Sequence, residues 1–489
     1  MAYRDLREWI AAADALGELV RLDGVSWDLE LANVTELALR ERRPPPAVLY
    51  DQIPGYPDGY RVLTGLANSP ARVALTLGMP TDLDSRGLVD TWRRRIGSLE
   101  PIPPRTVTHG PVLENEQRGA AIDLWQFPAP RWHEEDGGRY LGTADLVVTR
   151  DPDSGCINLG TYRIQVHDER TLSIYMSPGK HGMIHRQKYF ARGEPCPVVL
   201  SFGHDPLLFL VAAQNVAYGT PELSYAGGIK GEPIEVLEGE LTGLPIPAHA
   251  EIAIEGVILP DETRNEGPFG EFTGYYASGA RPEYVVRVDR VLHRNQPIIT
   301  GSPPGRPPAE NTYALCVFRS SIVWNDLQRA GVPDVQGVWC HEVGAARMWN
   351  VVAIKQRYAG HARQTALVTL GCGQGAYMSR FAVIVDEDVN PFDLEDVMWA
   401  VCTRCDPDRD IDIIRRMWSG PLDPIIRPSE KGFSSRAIID ATRPWEWRDE
   451  FPAVVTYDAA SLADARARWG ARLGLPTAPR PDPVRIPGS

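Results

Sequence analysis

Between about residues 105 and 305 the chain is a succession of short apolar runs broken by Gly, Pro and Asp, and this texture constrains the fold more than any other feature. The runs are Asp145–Thr149, Thr171–Met176, Val198–Phe202, Leu207–Ala213, Glu251–Leu259 and Tyr284–Leu292, and helical periodicity is scarce apart from His181–Phe190. Many short strands at such spacing predict a β-barrel or sandwich. The flanks read differently. Before this block, Leu6–Leu16 and Leu29–Arg40 carry helical patterns on either side of a strand-like Leu19–Leu22. Prolines 101, 103 and 104 mark its start, and Ser302-Pro-Pro-Gly-Arg-Pro-Pro308 closes it as a stiff linker. After 309 the spacing predicts a helix over Asn311–Arg329, a strand at Val335–Cys340, a helical stretch to about Ala366, a strand at Phe381–Val385 and a helix from Asp393. A last helix, Ser461–Arg472, is opened by Ser461 with Asp464 three residues on, a variant of the capping box. The expected organisation is α+β and multidomain: a mixed α/β region over 1–104, a β-barrel block over 105–308, an α/β region over 309–475 and a loose tail over 476–489.

Composition narrows the function more than the fold. A hydrophobic content of 43% with 24% charged residues is that of an ordinary soluble globular protein. The net charge of −13, without basic blocks, argues against nucleic acid or an anionic membrane as partner, while leaving room for a small anion bound by a local Arg. The opening residues, Met1-Ala-Tyr-Arg-Asp-Leu-Arg-Glu, lack the apolar core of a signal peptide. The longest strongly apolar run, Leu207–Ala213, is far too short to cross a bilayer, so a cytoplasmic protein is expected. Seven cysteines, an odd number and scattered, fit reduced thiols. Cys402-Thr-Arg-Cys405 has the spacing of a redox or zinc pair, but it ends an expected helix and no second pair completes four ligands, which favours helix packing.

The stretch Arg264–Tyr276, RNEGPFGEFTGYY, holds two carboxylates, Glu266 and Glu271, on either side of Gly-Pro-Phe-Gly. Two glycines and a proline in four residues exclude a regular helix and leave a tight loop that brings both acids toward one volume. Phe269, Phe272, Tyr275 and Tyr276 suggest that this volume is partly dry, where one carboxylate stays ionised and the other keeps a proton. Two surface acids on a turn are the bland alternative. In INLGTYRIQVHD, Asn158 and Arg163 are five residues apart, on opposite faces of a regular strand unless Gly160 makes a bulge. Arg163 is then either a rim residue or a buried cation in need of a carboxylate. His181 and Glu222 follow, and Asn, His and Glu together form an O/N donor set suited to Mg²⁺ or Mn²⁺ held jointly with phosphate oxygens, although singly they read as a loop histidine and a turn acid. Gly371-Cys-Gly-Gln-Gly375 superficially resembles a dinucleotide fingerprint, but only Ala376–Arg380 separate it from the next strand, which leaves no room for the required helix.

Taken in order, HEEDGGRY (133–140), N-x4-R (158–163), KH (180–181), ExxYAGG (222–228), EIAIEG (251–256), EGPFGE (266–271) and VDEDVxPFD (385–393) resemble the UbiD-type decarboxylases, over about residues 3–445. The runs NLGTYRIQV, GEFTGYY and SSRAIIDAT look most like the hydroxybenzoate and vanillate decarboxylase branch. The resemblance implies a split β-barrel of flavin-reductase type that binds prenylated FMN, a cofactor made by a separate flavin prenyltransferase, and a C-terminal α/β domain that forms a homodimer or higher homo-oligomer. It places metal ligands on Asn158, His181 and Glu222, holding Mn²⁺ or Mg²⁺ against the flavin phosphate with K⁺ or Na⁺ nearby. It assigns Arg163 and Glu266 as a catalytic pair and Glu271 as general acid–base, with Gly160, Thr161, Tyr162, Arg163, Lys180, His181, Ala212, Ala213, Gln214, Glu222 and Arg380 around the cofactor. Arg380 stands where many relatives have lysine, and Lys180 where glutamine is frequent.

The implied reaction is reversible, non-oxidative loss of CO₂ from an aromatic or α,β-unsaturated carboxylic acid, because the electron sink requires unsaturation next to the carboxylate. Two other readings compete with it: a flavin reductase using ordinary FMN, in which the two carboxylates and Arg163 have no task, and a non-catalytic assembly subunit, which would have lost one of Arg163, Glu266 and Glu271.

Overall fold

The computed structural model describes residues 3–214, 219, 221–430 and 432–475, so the expected loose tail over 476–489 lies outside the described residues. The chain forms two compact units, one of residues 1–315 with 421–425 and one of 316–420 with 426–489.

The first unit is dominated by a nine-stranded sheet: β1 (Asn115–Arg118), β2 (Arg139–Gly142), β3 (Leu146–Arg150), β4 (Ile157–Gly160), β5 (Ile164–Val166), β6 (Thr171–Ile174), β7 (Cys196–Phe202), β8 (Ile252–Glu266) and β9 (Arg281–His293). Its order is β2-β5-β6-β9-β8-β7-β3-β4, with β1 alongside β9, and every pair is antiparallel. Tyr140, Val147, Ile164, Leu172, Val198, Ile254 and Val286, from seven of these strands, share one buried core. An open sheet whose distant strands meet in one core has to curl on itself, and this is the expected barrel-like block. The β8–β9 hairpin outruns the expected strand end at Leu259. Register shifts after Glu255 and Ile258 carry it past Pro260, so that Glu266 ends β8 opposite Arg281.

One expected strand is a helix. Leu207–Ala213 falls in α2 (Pro206–Ala212), between α1 (His181–Ala191) and α3 (Glu222–Lys230). Asp205 caps it by accepting from the Leu207 amide at 2.9 Å, and Pro206 occupies the first turn, where a missing N–H costs nothing. A short, wholly apolar run carries no periodicity to separate a buried helix from a buried strand. Near the N-terminus the helices Leu6–Ala15 and Glu30–Glu41 and the strand Leu19–Asp23 stand as expected. That strand joins Ala47–Asp51, Arg61–Thr64 and, from far along the chain, Ile298–Thr300 in one four-stranded sheet.

The second unit is an α/β layer. Its sheet runs Val335–Cys340, Trp349–Ile354, Phe381–Asp386, Phe433–Ala441, Ile411–Trp418, with parallel pairs at the centre. The helical stretch expected up to Ala366 is wrong in its first part. Trp349–Ile354 is a buried strand whose continuous apolar run suits the middle of a parallel sheet, and the helix is His361–Gly371. Helix Leu394–Arg404 begins after Asp393 as expected. On it Cys402 is exposed, while Cys405 is half-buried against the core of Val383, Val385 and Ile439. The last helix is Ala459–Trp469. Its cap is Asp458, accepting from the Ser461 amide at 2.7 Å, so Ser461 sits inside the first turn instead of capping it. Gly371–Gly375 runs through a tight loop to the strand at Phe381 with no helix between. A side chain at Gly375 would lie 1.7 Å from the Thr369 carbonyl, so that glycine serves close packing.

Candidate active site

Arg163 stands at the mouth of β5 between the two carboxylates. Its Nε and Nη2 donate to Oε1 and Oε2 of Glu266 at 2.7 and 2.8 Å, and its Nη1 donates to Oε1 of Glu271. The Glu266 side chain is fully buried, and those of Arg163 and Glu271 are each 8% exposed. One guanidinium between two buried carboxylates leaves one negative charge in excess, which a proton neutralises. Burial pushes the Glu271 carboxyl up to about 7 against the pull of Arg163. Burial also works against the charge of Arg163, but its hydrogen bonds to Glu266 and the charges of Glu271 and Glu266 outweigh it, and its pKa is raised.

The loop between the carboxylates is clamped from below by the 133–140 segment. The Gly137 amide donates to the Pro268 carbonyl at 2.8 Å and the Gly270 amide to Asp136 Oδ1 at 3.0 Å. Gln165 accepts from the Gly267 amide and donates to the Gly137 carbonyl, both at 3.1 Å. Side chains at Gly137 and Gly270 would come within 2.0 Å of the Gly267 carbonyl and 2.8 Å of the His133 ring, so this approach requires glycine on both sides. The Tyr140 hydroxyl donates to Glu266 Oε1 at 3.0 Å. The Arg163 guanidinium lies 4.4 Å from the Tyr175 ring centre and 5.1 Å from that of Phe269. Of the aromatics expected to dry the site, Phe269 is buried and Phe272 half-buried, whereas Tyr275 and Tyr276 are exposed. The drying rings are Phe269, Tyr140 and Tyr175, and the last two lie outside the carboxylate stretch.

A second group gathers where α1 and α3 meet β4. Gly160 ends β4 in place of the expected bulge, and the chain folds so that the Tyr162 ring packs against Gly160 and its hydroxyl accepts from the Gly182 amide at 3.2 Å. His181 and Glu222 are the first residues of α1 and α3, with Nδ1 and Oε1 3.9 Å apart. Glu222 Oε2 accepts from the Leu159 amide at 3.2 Å, which ties it to the strand carrying Asn158. Burial pushes Glu222 up to about 7, and burial together with the charge of Lys180 lowers His181. The buried Nδ2 of Asn158 and Nε2 of Gln214 make no hydrogen bond. Among the described residues no set of three His, Cys, Asp or Glu converges as a metal cluster. Ala212 ends α2, which packs against α3 and β4, Ala213 and Gln214 follow it directly, and Lys180 immediately precedes α1. Arg380 is a residue of the second unit, one position before the strand Phe381–Asp386.

Tyr140, Asp136, Gln165 and Tyr175 were not singled out from sequence. Gln165 could have been, since it stands two residues after Arg163 on a strand and shares its face. Tyr140 pairs with Gln165 across β2 and β5 but is 126 residues from Glu266, and nothing local links the two.

Three family models cover the chain: the 3-octaprenyl-4-hydroxybenzoate carboxy-lyase N-terminal domain (residues 10–92), its UbiD Rift-related domain (105–307) and its C-terminal domain (312–441). The chain is 34% identical over 482 residues to a phenolic acid decarboxylase of Streptomyces sp. (strain D7), covering 97% of this chain and 98% of that protein. It resembles the open form of the vanillic acid decarboxylase of Sedimentibacter hydroxybenzoicus with a TM-score of 0.83 and 32% identity, over 97% of this chain and 98% of the other. It also resembles an evolved dimeric form of the UbiD-class enzyme HmfF from Pelotomaculum thermopropionicum in complex with prFMN, with a TM-score of 0.79 and 30% identity, over 94% of this chain and all of that one.

Proposed function

The chain belongs to the UbiD family and is a carboxy-lyase; from that premise we propose that it releases CO₂ from an aromatic or α,β-unsaturated carboxylic acid with prenylated FMN bound, Glu271 moving the proton. The observation that carries this reading is one guanidinium shared unequally by two buried carboxylates. Glu266 receives two hydrogen bonds from Arg163 and Glu271 one. Glu266 is therefore the better-compensated anion, and Glu271, with a pKa of about 7, exchanges a proton at working pH. Its Oε1 faces Arg163, which leaves Oε2 to hold the proton and pass it to the carbon that has lost CO₂. In the reverse direction the same oxygen takes the proton back. When bound, the prenylated flavin supplies the electron sink for that carbon.

The residues present fit such a cofactor. Asn158, His181 and Glu222 would hold Mn²⁺ or Mg²⁺, with K⁺ or Na⁺ nearby. A cation beside Glu222 would offset its buried charge, and the unsatisfied amides of Asn158 and Gln214 give a polar ligand something to meet. By resemblance, Gly160–Arg163, Lys180 and Ala212–Gln214 line the flavin. A homodimer is supported by the second unit, where Ile413, Trp418, Phe433 and Trp469 are exposed and the last helix buries no side chain.

The test is CO₂ release across a panel of phenolic, heteroaromatic and acyclic unsaturated acids, with exchange of the product's hydrogen in D₂O. Glu271→Gln should lose both by about 10²–10⁴-fold, because an amide cannot exchange a proton with carbon. Exchange at the parent rate in that variant would remove Glu271 from the role.

A further inference from the structure

We propose that Tyr140 is the positioning residue that fixes which of the two carboxylates carries the proton, by donating its hydroxyl hydrogen to Glu266. The inference deepens the reading of Glu271 above and rests on it for its catalytic consequence, though not for its geometry.

The phenol oxygen of Tyr140 lies near three oxygens: Glu266 Oε1 at 3.0 Å, Gln165 Oε1 at 3.4 Å and the Pro268 carbonyl at 3.5 Å. All three are acceptors. The Gln165 amide cannot turn to offer a donor, because its Oε1 already receives the Gly267 amide and its Nε2 is spent on the Gly137 carbonyl. The phenol is therefore confined to the donor role, and its one hydrogen goes to the nearest and only charged acceptor, Glu266. Burial, with the charge of Glu266 next, holds Tyr140 protonated well above its ordinary range, so the donor persists at every working pH. Its ring is fully buried and packs on Phe269, with centroids 4.3 Å apart, inside the carboxylate loop itself. Glu266 then has three donors and Glu271 one.

Of the other groups facing the pair, Arg163 favours Glu266 by two bonds to one, and Tyr140 widens that difference. Arg163 touches both carboxylates. Arg281 acts on Glu271 from β9 and pairs with Glu283, 2.9 Å away, whose own charge acts against it. Asp136 acts on Tyr140 from below, and His167 near the end of β5 feels Glu266. Tyr140 is the neutral group among these that donates to one carboxylate and not the other.

Removing the hydroxyl alone tests the idea. Tyr140→Phe keeps the ring on Phe269 and takes one hydrogen bond from Glu266. The single proton of the pair should then divide between Glu266 and Glu271. The macroscopic pKa of the pair should rise, because there are two ways to hold the proton. A hydrogen bond to a charged group shifts the proton's distribution by about tenfold or more, and turnover should fall by the share of the proton that leaves Glu271, about twofold for an even division. The direct readout needs neither cofactor nor substrate: infrared difference spectra of the full-length protein across pH 5–9, which report protonated buried carboxyls. Burial brings Glu222, Glu310 and Asp145 into the same range, so the band of Glu271 is identified as the one that disappears in Glu271→Gln. In Tyr140→Phe a second band, from protonated Glu266, should appear at a different frequency while the first weakens. Fluorinated tyrosines placed at 140, which are stronger donors, should move the pair's pKa the opposite way without altering packing. A Tyr140→Phe spectrum that superimposes on the parent, or fluorotyrosines without effect, overturns the proposal. A parent with the expected spectrum but no CO₂ release from any acid would instead refute the decarboxylase reading and leave Tyr140 standing.

Discussion

Two clusters in this molecule are assembled from the same parts and hold different charge. In the first unit Arg163 bridges Glu266 and Glu271. In the second unit Arg404 bridges Asp386 and Asp388, with bonds of 2.9, 2.9 and 2.8 Å. Both arginines are almost wholly buried. The difference is a second cation: Arg443 donates its backbone amide and Nε to Asp386 at 2.7 and 3.2 Å. Two cations for two carboxylates leave nothing for a proton to neutralise. Burial alone would raise Asp388, yet the hydrogen bonds and charge of Arg404, with Arg443 behind it, bring its pKa below the ordinary value. One cation for two carboxylates leaves Glu271 at about 7. The number of cations separates a structural pair from a proton carrier here, whereas the mere presence of a buried salt bridge does not.

The comparison breaks most visibly at Arg163. Arg163→Met leaves two buried carboxylates with no cation. CO₂ release should fall by at least about 10²-fold, and breaking a buried pair this way typically costs about 3–5 kcal/mol. Both carboxyls would then have folded-state pKa values above their unfolded ones, so the variant should be most stable at low pH and lose stability as pH rises through those values. Urea unfolding at pH 5 and pH 8 measures it, and equal stability at the two would refute the charge count.

Glu222 is a carboxylate with His181 3.9 Å away, and it sharpens the comparison from the other side. His181→Ala should lower bound Mn²⁺ and flavin together, by about tenfold or more in metal affinity. Metal analysis and flavin absorbance of the purified protein decide this, and full occupancy of both in the variant would exclude the site.

The third effect is a difference in slope. Glu271 has a folded pKa of about 7 against about 4.3 unfolded, so the folded state holds a proton that the unfolded chain releases between those values. Stability from this group is present at low pH and is lost as pH rises toward 7, by roughly 4 kcal/mol. Glu271→Gln has no such proton, so its stability should fall less than the parent's between pH 5 and pH 8. Parallel curves would contradict the raised pKa.

The smallest effect is expected at Arg443, whose side chain is a third exposed. Arg443→Ala converts the second cluster to the stoichiometry of the first. It should cost roughly 1 kcal/mol and introduce a pH-dependent loss of stability absent from the parent.

What could be read from sequence follows the range of the interactions involved. The amphipathic helix Glu30–Glu41 and the loop between Glu266 and Glu271 declare themselves within a dozen residues, by period and by glycine and proline. The helix Pro206–Ala212 and the strand Trp349–Ile354 were misread because both are buried on all sides, and burial erases the periodicity that tells them apart. In the site, Glu266, Glu271 and Arg163 were legible as chemistry that needs partners, and the resemblance paired them. Tyr140 and Asp136 were not, because their value depends on hydrogen bonds to residues 126 and 134 positions away in sequence.

The strand Ile298–Thr300 completes a sheet whose other members end at Thr64. A ribosome adds about 5–20 residues per second, so the first three strands emerge roughly 10–50 s before the fourth exists. Until then the hydrogen-bonding edge of Arg61–Thr64 is open, and the apolar faces of Val62 and Leu63 lack part of their cover. The nascent chain therefore passes through a window in which its oldest segment is its least finished. Expression hosts with slow elongation or little holdase chaperone should lose yield at this stage, and a fragment stopped before residue 298 should be the form that aggregates.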